Sequence, residues 1–177
     1  MGCDTTFQTD LQTLRAVNIL PVFSTKNEGT LNPTNPTNLP EALSVGALDL
    51  NNQVWVGSSQ GPSACGDTPA LFPKVAAPGV DIWTAETTGS HTYQTGTSMA
   101  APHAAGGLAL LLSAFPGLPA ELQEQALLQT ATDIDIPGPD PLSGYGSVNV
   151  MAAYEHVNSF LAYRFYFPIL DNNLTGN

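Results

Sequence analysis

The stretch Gly96–His103 has the sequence Gly-Thr-Ser-Met-Ala-Ala-Pro-His and continues directly into the apolar stretch Ala104–Ala114. A glycine, two hydroxyl residues and a proline four places after the serine are typical of a helix start that something must approach closely. In the first turn of such a helix, free backbone N–H groups and the positive end of the helix dipole would stabilise an oxyanion next to Ser98. The pattern alone leaves two interpretations open. Ser98 is either a nucleophile or part of the polar cap of an ordinary buried helix.

The octet closely resembles the serine motif of the subtilisin-like serine peptidases, in which Gly-Thr-Ser-Met-Ala-x-Pro-His carries the nucleophile at the start of a long buried helix. Three upstream segments resemble other motifs of that family in the family's order: Leu20–Gly29 its strand ending in Gly-Asn-x-Gly, Leu43–Ala47 its Val-Gly-Ala strand and Val75–Ile82 its Ala-Pro-Gly strand. The stretch Gly144–Ala153 is similar to the family's Gly-x-Gly-x-Val-Asn-Val-x-x-Ala ending. Because these motifs keep their order, the resemblance favours the nucleophilic interpretation.

The resemblance implies a serine endopeptidase in which Ser98 attacks the peptide carbonyl. The Ser98 backbone N–H and the Asn27 side chain would donate hydrogen bonds to the oxyanion. Five residues would lie along the substrate pocket: Ser24, Thr25, Lys26, Gly96 and Thr97. Lys26 departs from the family, which usually has glycine there, so its long charged side chain could narrow or block the pocket. No cofactor is implied, and although calcium sites occur in the family, the sequence indicates no ligand set for one.

The aspartate and histidine that activate the serine in this family precede the asparagine strand, and this chain begins only a short helix before that strand. His103 lies about 140° around the helix from the serine and cannot face its hydroxyl. His91 belongs to the polar approach to the motif, and His156 is expected at the surface. Asp81 and Glu28 are expected to be solvated turn or strand-end residues. We therefore expect an N-terminally truncated catalytic domain, with a separate N-terminal segment as the source of Asp and His.

Composition limits the other functions. With 177 residues, 42% of them hydrophobic, the chain can form one domain with a core, and a net charge of −11 with four Lys and Arg argues against nucleic acid and anionic membranes as partners. No run of eighteen apolar residues predicts a membrane span, and Met1–Asp4 lacks the features of a signal peptide. The resemblance implies an extracellular protein whose export signal lies outside this chain. Cys3 and Cys65 leave a single bridge and two free thiols both open.

Hydrophobic periodicity predicts an α/β fold, and the resemblance implies its three-layer αβα form with a mostly parallel sheet. The predicted helices are Thr6–Asn18, a helix from Ser98 through Leu112 that is buried on nearly every side, Ala120–Thr130 and Val148–Tyr163. The predicted strands are Ile19–Phe23, Leu43–Leu48, Val54–Val56, Val75–Ala77 and Val80–Thr84, with loops at Thr30–Pro40 and Ser58–Leu71 and a hairpin-like excursion at Ala85–Thr95. The domain is predicted to span residues 1–163, and residues 164–177, with a glycosylation sequon at Asn173–Thr175, form a tail or linker.

Two functions from different classes stay open. The first is a subtilisin-like serine endopeptidase acting on polypeptide substrates, and the second is a catalytically silent module that binds peptides or a partner chain. Asp-Gly and His-Gly-Thr motifs encoded upstream of Met1 would favour the first. A lipase-like α/β-hydrolase fits less well, because Ala100 takes the place of the second glycine in Gly-x-Ser-x-Gly. Because the family's first strands are missing, Ile19–Phe23 is expected to form an apolar sheet edge, which predicts self-association.

Overall fold

A three-stranded parallel sheet organises the structure, a computed structural model that describes residues 3–30, 34–66 and 71–166, with side chains up to residue 163. Along the chain the elements are α1 (Gln8–Ala16), β1 (Val22–Ser24), β2 (Leu43–Leu48), β3 (Val75–Pro78), β4 (Ile82–Ala85), β5 (His91–Gln94), α2 (Thr97–Ala114), α3 (Ala120–Gln129) and α4 (Val150–Tyr166). The hairpin of β4 and β5 forms a separate antiparallel pair.

The central strand of the sheet is β2, which pairs in parallel with β1 on one side and with β3 on the other. Val22 lies opposite Leu43, and Val45 lies opposite Val75. All six residues of β2 are buried, because a central parallel strand is covered on both faces. Its sequence therefore shows no polar alternation, and the predicted strand Leu43–Leu48 is confirmed.

Helices cover both faces of the sheet. α2 packs across β1, β2 and β3, and α4 packs against α2 and α3. Val22 belongs to this main core, whereas the next residue, Phe23, packs with a second cluster that contains Leu11 of α1. Because successive strand residues point to opposite faces, the two clusters lie on opposite sides of the sheet. The predicted α/β fold with a mostly parallel sheet between helices is confirmed.

The first predicted strand, Ile19–Phe23, lies later in the chain than expected, because β1 begins at Val22. Asn18 has a left-handed φ of 64°, and the Ile19 N–H donates to the Leu14 carbonyl at 3.0 Å. Asn18 and Ile19 therefore belong to the turn that ends α1. The expected burial on both faces is wrong: Ile19 is 51% exposed and the β1 residues are half-buried, because β1 is an edge strand within the described part of the chain.

Two further strand predictions need correction. Val54–Val56 is not a strand, since only Val54 forms a bridge, to Leu48, and Val56 is exposed to solvent. The Trp55 ring folds over Gly57, where no Cβ would fit, so the chain bends instead of extending. The strand predicted from Val80 begins only at Ile82, because Asp81 has a left-handed φ of 53°. The hairpin-like excursion is confirmed as the turn and return strand of the β4–β5 pair.

The predicted helices are confirmed with shifts of a few residues at their ends. α2, expected to be buried on nearly every side, instead exposes a face that includes Ala105, Ala109 and Leu110, the last at 68%. No described element packs over that face. α4 runs to Tyr166, and the remainder of the predicted tail, with its sequon, lies outside the described residues. Of the helices in the described ranges, none is long and apolar enough to cross a membrane.

Long-range links hold the first helix to the sheet. Cys3 and Cys65 form a disulfide, which decides the alternative that the sequence left open. Glu124 of α3 accepts an ion pair from Arg15 of α1 at 2.8 Å and another from Lys74 at 2.5 Å, beside the start of β3. All three of these side chains are largely buried, so the pairs are shielded from solvent and salt. They join three elements at the amino-terminal edge of the sheet.

Glu41 predicts a pH dependence of stability. Burial alone raises the pKa of Glu41, but hydrogen bonds donated by Gln12 at 2.8 Å and Gln8 at 3.0 Å hold it below its ordinary value of 4.5. A group with a lowered folded pKa stabilises the fold above its ordinary pKa and loses that contribution as pH falls through the folded value. We expect the wild-type chain to exceed Glu41→Gln in unfolding free energy at about pH 6 and to lose that advantage as the pH falls below 4.5 and through the lowered folded pKa. Urea denaturation across this range measures it, and a constant difference would contradict it.

Candidate active site

Ser98 lies in the first turn of α2 and is exposed to solvent. The first N–H groups of a helix have no partner within the helix, so the Ser98 N–H can donate to a group outside it. Gly96 precedes the helix and provides no side-chain cap. The sequence prediction that Ser98 begins a helix is confirmed, and its hydroxyl is open to a polymer approaching from solvent.

Asn27 reaches this helix start from the carboxyl end of β1. Its Oδ1 accepts hydrogen bonds from the Thr97 backbone N–H and from the Thr97 hydroxyl, both at 3.0 Å, across 70 residues of sequence. Because two donors occupy Oδ1, the amide orientation is determined and Nδ2 is the free donor end. Thr97 is buried, so the hydrogen bonds that hold Oδ1 lie beneath the surface, whereas the Asn27 residue is exposed.

Gly96 separates the Asn27 amide from the Ser98 hydroxyl. A Cβ atom on Gly96 would lie 3.0 Å from Asn27 Nδ2 and 3.3 Å from Ser98 Oγ. Both polar groups thus border one point in space, and only glycine leaves that point open. Gly79 supports the arrangement from below: its carbonyl accepts from the Gly96 N–H at 2.8 Å, and a Cβ on it would lie 2.7 Å from the Ala47 Cβ. The Ala-Pro-Gly segment therefore positions the serine loop.

Two buried serines, Ser58 and Ser59, hold the turn that carries Asn27, and both belong to the predicted loop Ser58–Leu71. The Ser59 N–H donates to the Lys26 carbonyl at 3.0 Å, and the Ser59 hydroxyl accepts from the Glu28 N–H at 3.1 Å. Ser58 accepts from the Ala47 N–H at 3.1 Å. Consecutive serines after a predicted strand were the only available signal. Their role requires the three-dimensional arrangement, because the Ser59 hydroxyl binds a backbone group 31 residues away and the Ser58 hydroxyl binds one 11 residues away.

The three residues expected along the substrate pocket precede Asn27 and differ in exposure. Ser24 ends β1 and is half-buried. Thr25 is fully buried, with its hydroxyl 3.5 Å from the Ser58 hydroxyl, so it can meet a substrate only through its backbone. Lys26 is exposed and has a left-handed φ of 75°. The structure thus brings Lys26, together with Gly96 and Thr97, to the surface region around Ser98 and Asn27 or directly beneath it.

None of the three histidines is hydrogen-bonded to Ser98 in the described part of the chain. His103 Nδ1 lies 2.8 Å from the Met99 carbonyl oxygen on the outside of α2. The His91 ring stacks on Trp83, with centroids 5.7 Å apart. His156 lines a groove between α3 and α4. A general base for the serine therefore does not come from any of these positions as they stand.

The carboxylates near the site have structural partners. The Asp81 carboxylate accepts a hydrogen bond from the Thr95 hydroxyl at 3.4 Å at the base of the hairpin, and Glu28 lies exposed in the turn after Asn27. Within residues 3–30, 34–66 and 71–163, no three His, Cys, Asp or Glu side chains come together in a way that would hold a metal ion. The described side chains thus do not fit a calcium site built on clustered carboxylates. The site thus brings together an exposed hydroxyl and a side-chain amide, and no histidine in the described ranges is hydrogen-bonded to that hydroxyl.

Comparison with known proteins places these residues in a family. The family model of the subtilases matches residues 3–146. The chain is 34% identical over 173 residues to Bacillopeptidase F of Bacillus subtilis (strain 168), which covers 90% of this chain and 12% of that protein. It is 34% identical over 142 residues to Subtilisin DY of Bacillus licheniformis, which covers 78% of this chain and 47% of that protein.

The fold comparison agrees. The solved structure of the prenylagaramide maturation protease PagA matches with a TM-score of 0.73 and 30% identity over 87% of this chain and 56% of that one. The chain therefore spans about half or less of the length of these three proteins. Since the family model covers most of the chain and the fold agrees, this protein belongs to the subtilase family of serine peptidases.

Proposed function

We propose that this chain carries the nucleophile and the oxyanion hole of a serine endopeptidase that hydrolyses polypeptides. The observation that supports this most directly is the contact between Asn27 and Thr97, which fixes an amide donor beside the Ser98 hydroxyl across Gly96. A structural cap would need only the acceptor end of Asn27. The exposed Nδ2 and the exposed hydroxyl together suit a carbonyl that is being attacked.

In the proposed reaction the Ser98 Oγ attacks the scissile carbonyl carbon, and the carbonyl oxygen becomes an oxyanion. The Ser98 N–H and Asn27 Nδ2 donate to that oxygen. A histidine takes the serine proton and then gives it to the leaving amine, so that the acyl-enzyme forms and a new amino terminus departs. Water, activated by the same histidine, hydrolyses the ester and restores Ser98.

We propose that the histidine and the aspartate that orients it come from polypeptide outside residues 1–177. No described histidine contacts Ser98, so a second source is required for the mechanism. A groove of about 250 Å³ beside β1 supports this proposal: it is lined by apolar residues of β1, its approach and α2, together with Asn18 and Gln123. The groove adjoins the edge of β1 and the exposed face of α2, which would accept a further strand and its side chains.

The same edge predicts the solution behaviour of the isolated chain. An apolar edge strand with unpaired N–H and C=O groups pairs readily with another strand, and Ile19 and Leu110 lie exposed near it. We expect concentration-dependent dimers or larger species in sedimentation velocity. Adding a separately produced segment that carries the missing strands should convert them to a single heterodimer. A concentration-independent monomer with a cooperative melt would contradict this prediction.

A second candidate function is a catalytically silent module that binds peptides or a partner chain. The absence of any described histidine bonded to Ser98 favours it, because the oxyanion donors alone can bind a carbonyl without cleaving its peptide bond. The location proposed for either form is extracellular. The Cys3–Cys65 disulfide supports that location, since disulfides persist mainly in oxidising compartments.

Labelling with a serine-directed fluorophosphonate separates the two candidates. The chain combined with a segment that carries Asp and His should be labelled at Ser98, as located by peptide mass spectrometry. Ser98→Ala should remove the label, and Ser90→Ala, in the exposed hairpin turn, should retain it and is the matched control. If the combined protein forms a stable complex and Ser98 stays unlabelled, the silent module is the correct function.

A further inference from the structure

Lys26 has a backbone conformation that its side chain disfavours. Its φ of 75° lies in the left-handed region, where a residue with a Cβ clashes with the following carbonyl. Glycine would be free of this clash. Such strain persists only where the surroundings hold the residue in place, and it concentrates at functional sites. A lysine at this position, one residue before Asn27, therefore calls for a reason other than the fold.

The surroundings hold the Lys26 backbone on both sides. The Thr25 N–H donates to the Val45 carbonyl at 3.2 Å, and the Lys26 carbonyl accepts from the Ser59 N–H at 3.0 Å. Asn27 is fixed to Thr97. Because consecutive Cα atoms lie about 3.8 Å apart, the Lys26 side chain starts within one residue of the oxyanion donor. That side chain is exposed, so its ammonium group is open to solvent next to the turn that carries Asn27.

Lys26 differs from the other described lysine and arginine residues because its charge has no ion-pair partner. The chain has four Lys and Arg in a net charge of −11. Arg15 and Lys74 are both paired with Glu124, and the side chain of Arg164 lies outside the described ones. Among the lysine and arginine side chains that the structure describes, Lys26 alone has no ion pair. An unpaired ammonium group on the residue before Asn27 is available to a carboxylate that the substrate brings.

We propose that Lys26 makes the site selective for polypeptides with an aspartate or glutamate side chain within about two residues of the bond that Ser98 attacks. This inference rests on the proposed function. The Lys26 ammonium pairs with the substrate carboxylate. The left-handed backbone of Lys26 costs free energy, and it persists because it holds the ammonium charge near the bond that Ser98 attacks. Neutral substrates bind without this pair, and substrates with lysine or arginine there are repelled.

Equilibrium binding to the full chain tests the proposal without requiring turnover. Fluorescence anisotropy would compare labelled peptides that differ only by glutamate, glutamine or lysine at each of the two positions on either side of a fixed central bond, with mass spectrometry to verify that each peptide stays intact. At low salt we expect the best glutamate peptide to bind about two- to fivefold more tightly than its glutamine counterpart, the range of an exposed ion pair. The preference should shrink as salt is raised toward 0.5 M.

Four variants at this one position separate charge from backbone strain. Lys26→Arg should keep the preference, Lys26→Gln should lose it, and Lys26→Glu should reverse it in favour of the lysine peptide. Lys26→Gly should lose the preference and raise the melting temperature, because glycine adopts the left-handed conformation freely. Since Lys26→Gly removes the strain, it keeps the test valid if another variant fails to fold.

The outcomes distinguish this proposal from the function on which it rests. Peptides that bind with equal affinity whatever their charge, or a preference unchanged in Lys26→Gln and Lys26→Gly, would overturn the role of Lys26 and leave peptide binding intact. A weaker affinity of Lys26→Gln for every peptide alike would overturn it too, and would indicate general support of the site. Failure of the wild-type chain to bind any peptide would overturn both the proposed function and this inference.

Discussion

The isolated 177-residue chain is expected to hydrolyse casein at no measurable rate, although Ser98 and Asn27 are in place. A serine hydroxyl becomes an effective nucleophile only when a base accepts its proton, and none of the described histidines contacts Ser98. The size of the loss is known from subtilisin, itself a member of this family, where removing the serine or the histidine lowers kcat by about 2 × 10⁶. We expect a deficit of the same order here. Release of fluorescent fragments from labelled casein measures it.

Complementation gives the matching positive result. A separately produced segment that carries the first strands typical of the family, a histidine and an aspartate should restore hydrolysis by many orders of magnitude, and Ser98→Ala in the same complex should abolish it. A segment in which the histidine is replaced by alanine should dock equally well and restore no activity. Robust hydrolysis by the chain alone that disappears in Ser98→Ala would contradict the prediction. It would indicate that His91 or another group rearranges to serve as the base.

The sequence was most informative where a local pattern determines the local structure. The octet around Ser98 predicted a helix start because glycine, hydroxyl residues and proline act within one turn, and the structure has that start at Thr97. Leu43–Leu48 was predicted as a strand because a run of apolar residues is enough for a strand covered on both faces. The link between Asn27 and this helix followed only from the resemblance, since nothing local in the sequence joins residues 70 positions apart.

The features that escaped the sequence depend on neighbours distant in the chain or on backbone detail. Ser58 and Ser59 act on backbone groups of other strands and loops, which no spacing rule identifies. α2 was expected to be buried all round because its residues are apolar on every side, yet burial also needs a covering element, and the described residues provide none over Leu110. The start of β1 depends on the left-handed turn at Asn18. Asparagine tolerates this conformation, but its presence in a sequence does not predict it.

In the proposed mechanism Asn27 has two separable tasks, one for each end of its amide. Oδ1 accepts the two hydrogen bonds from Thr97 and so ties β1 to the start of α2. Nδ2 points past Gly96 toward the space beside Ser98 Oγ. A variant that loses only Nδ2 therefore reports on oxyanion binding, whereas a variant that loses both ends also reports on the fold.

In the completed enzyme, Asn27→Leu is expected to lower kcat by about 10²–10³ with KM nearly unchanged, because the donor acts on charge that develops only in the transition state. That magnitude was measured on the corresponding asparagine of subtilisin and is taken over here on family membership. Asn27→Asp is the matched control: its carboxylate can keep the acceptor contacts to Thr97 but provides no donor, so kcat should fall at least as far while the melting temperature stays closer to wild type than that of Asn27→Leu. If both variants keep wild-type kcat, or if KM rises as much as kcat falls, Asn27 only anchors the turn and the oxyanion must be bound by other groups.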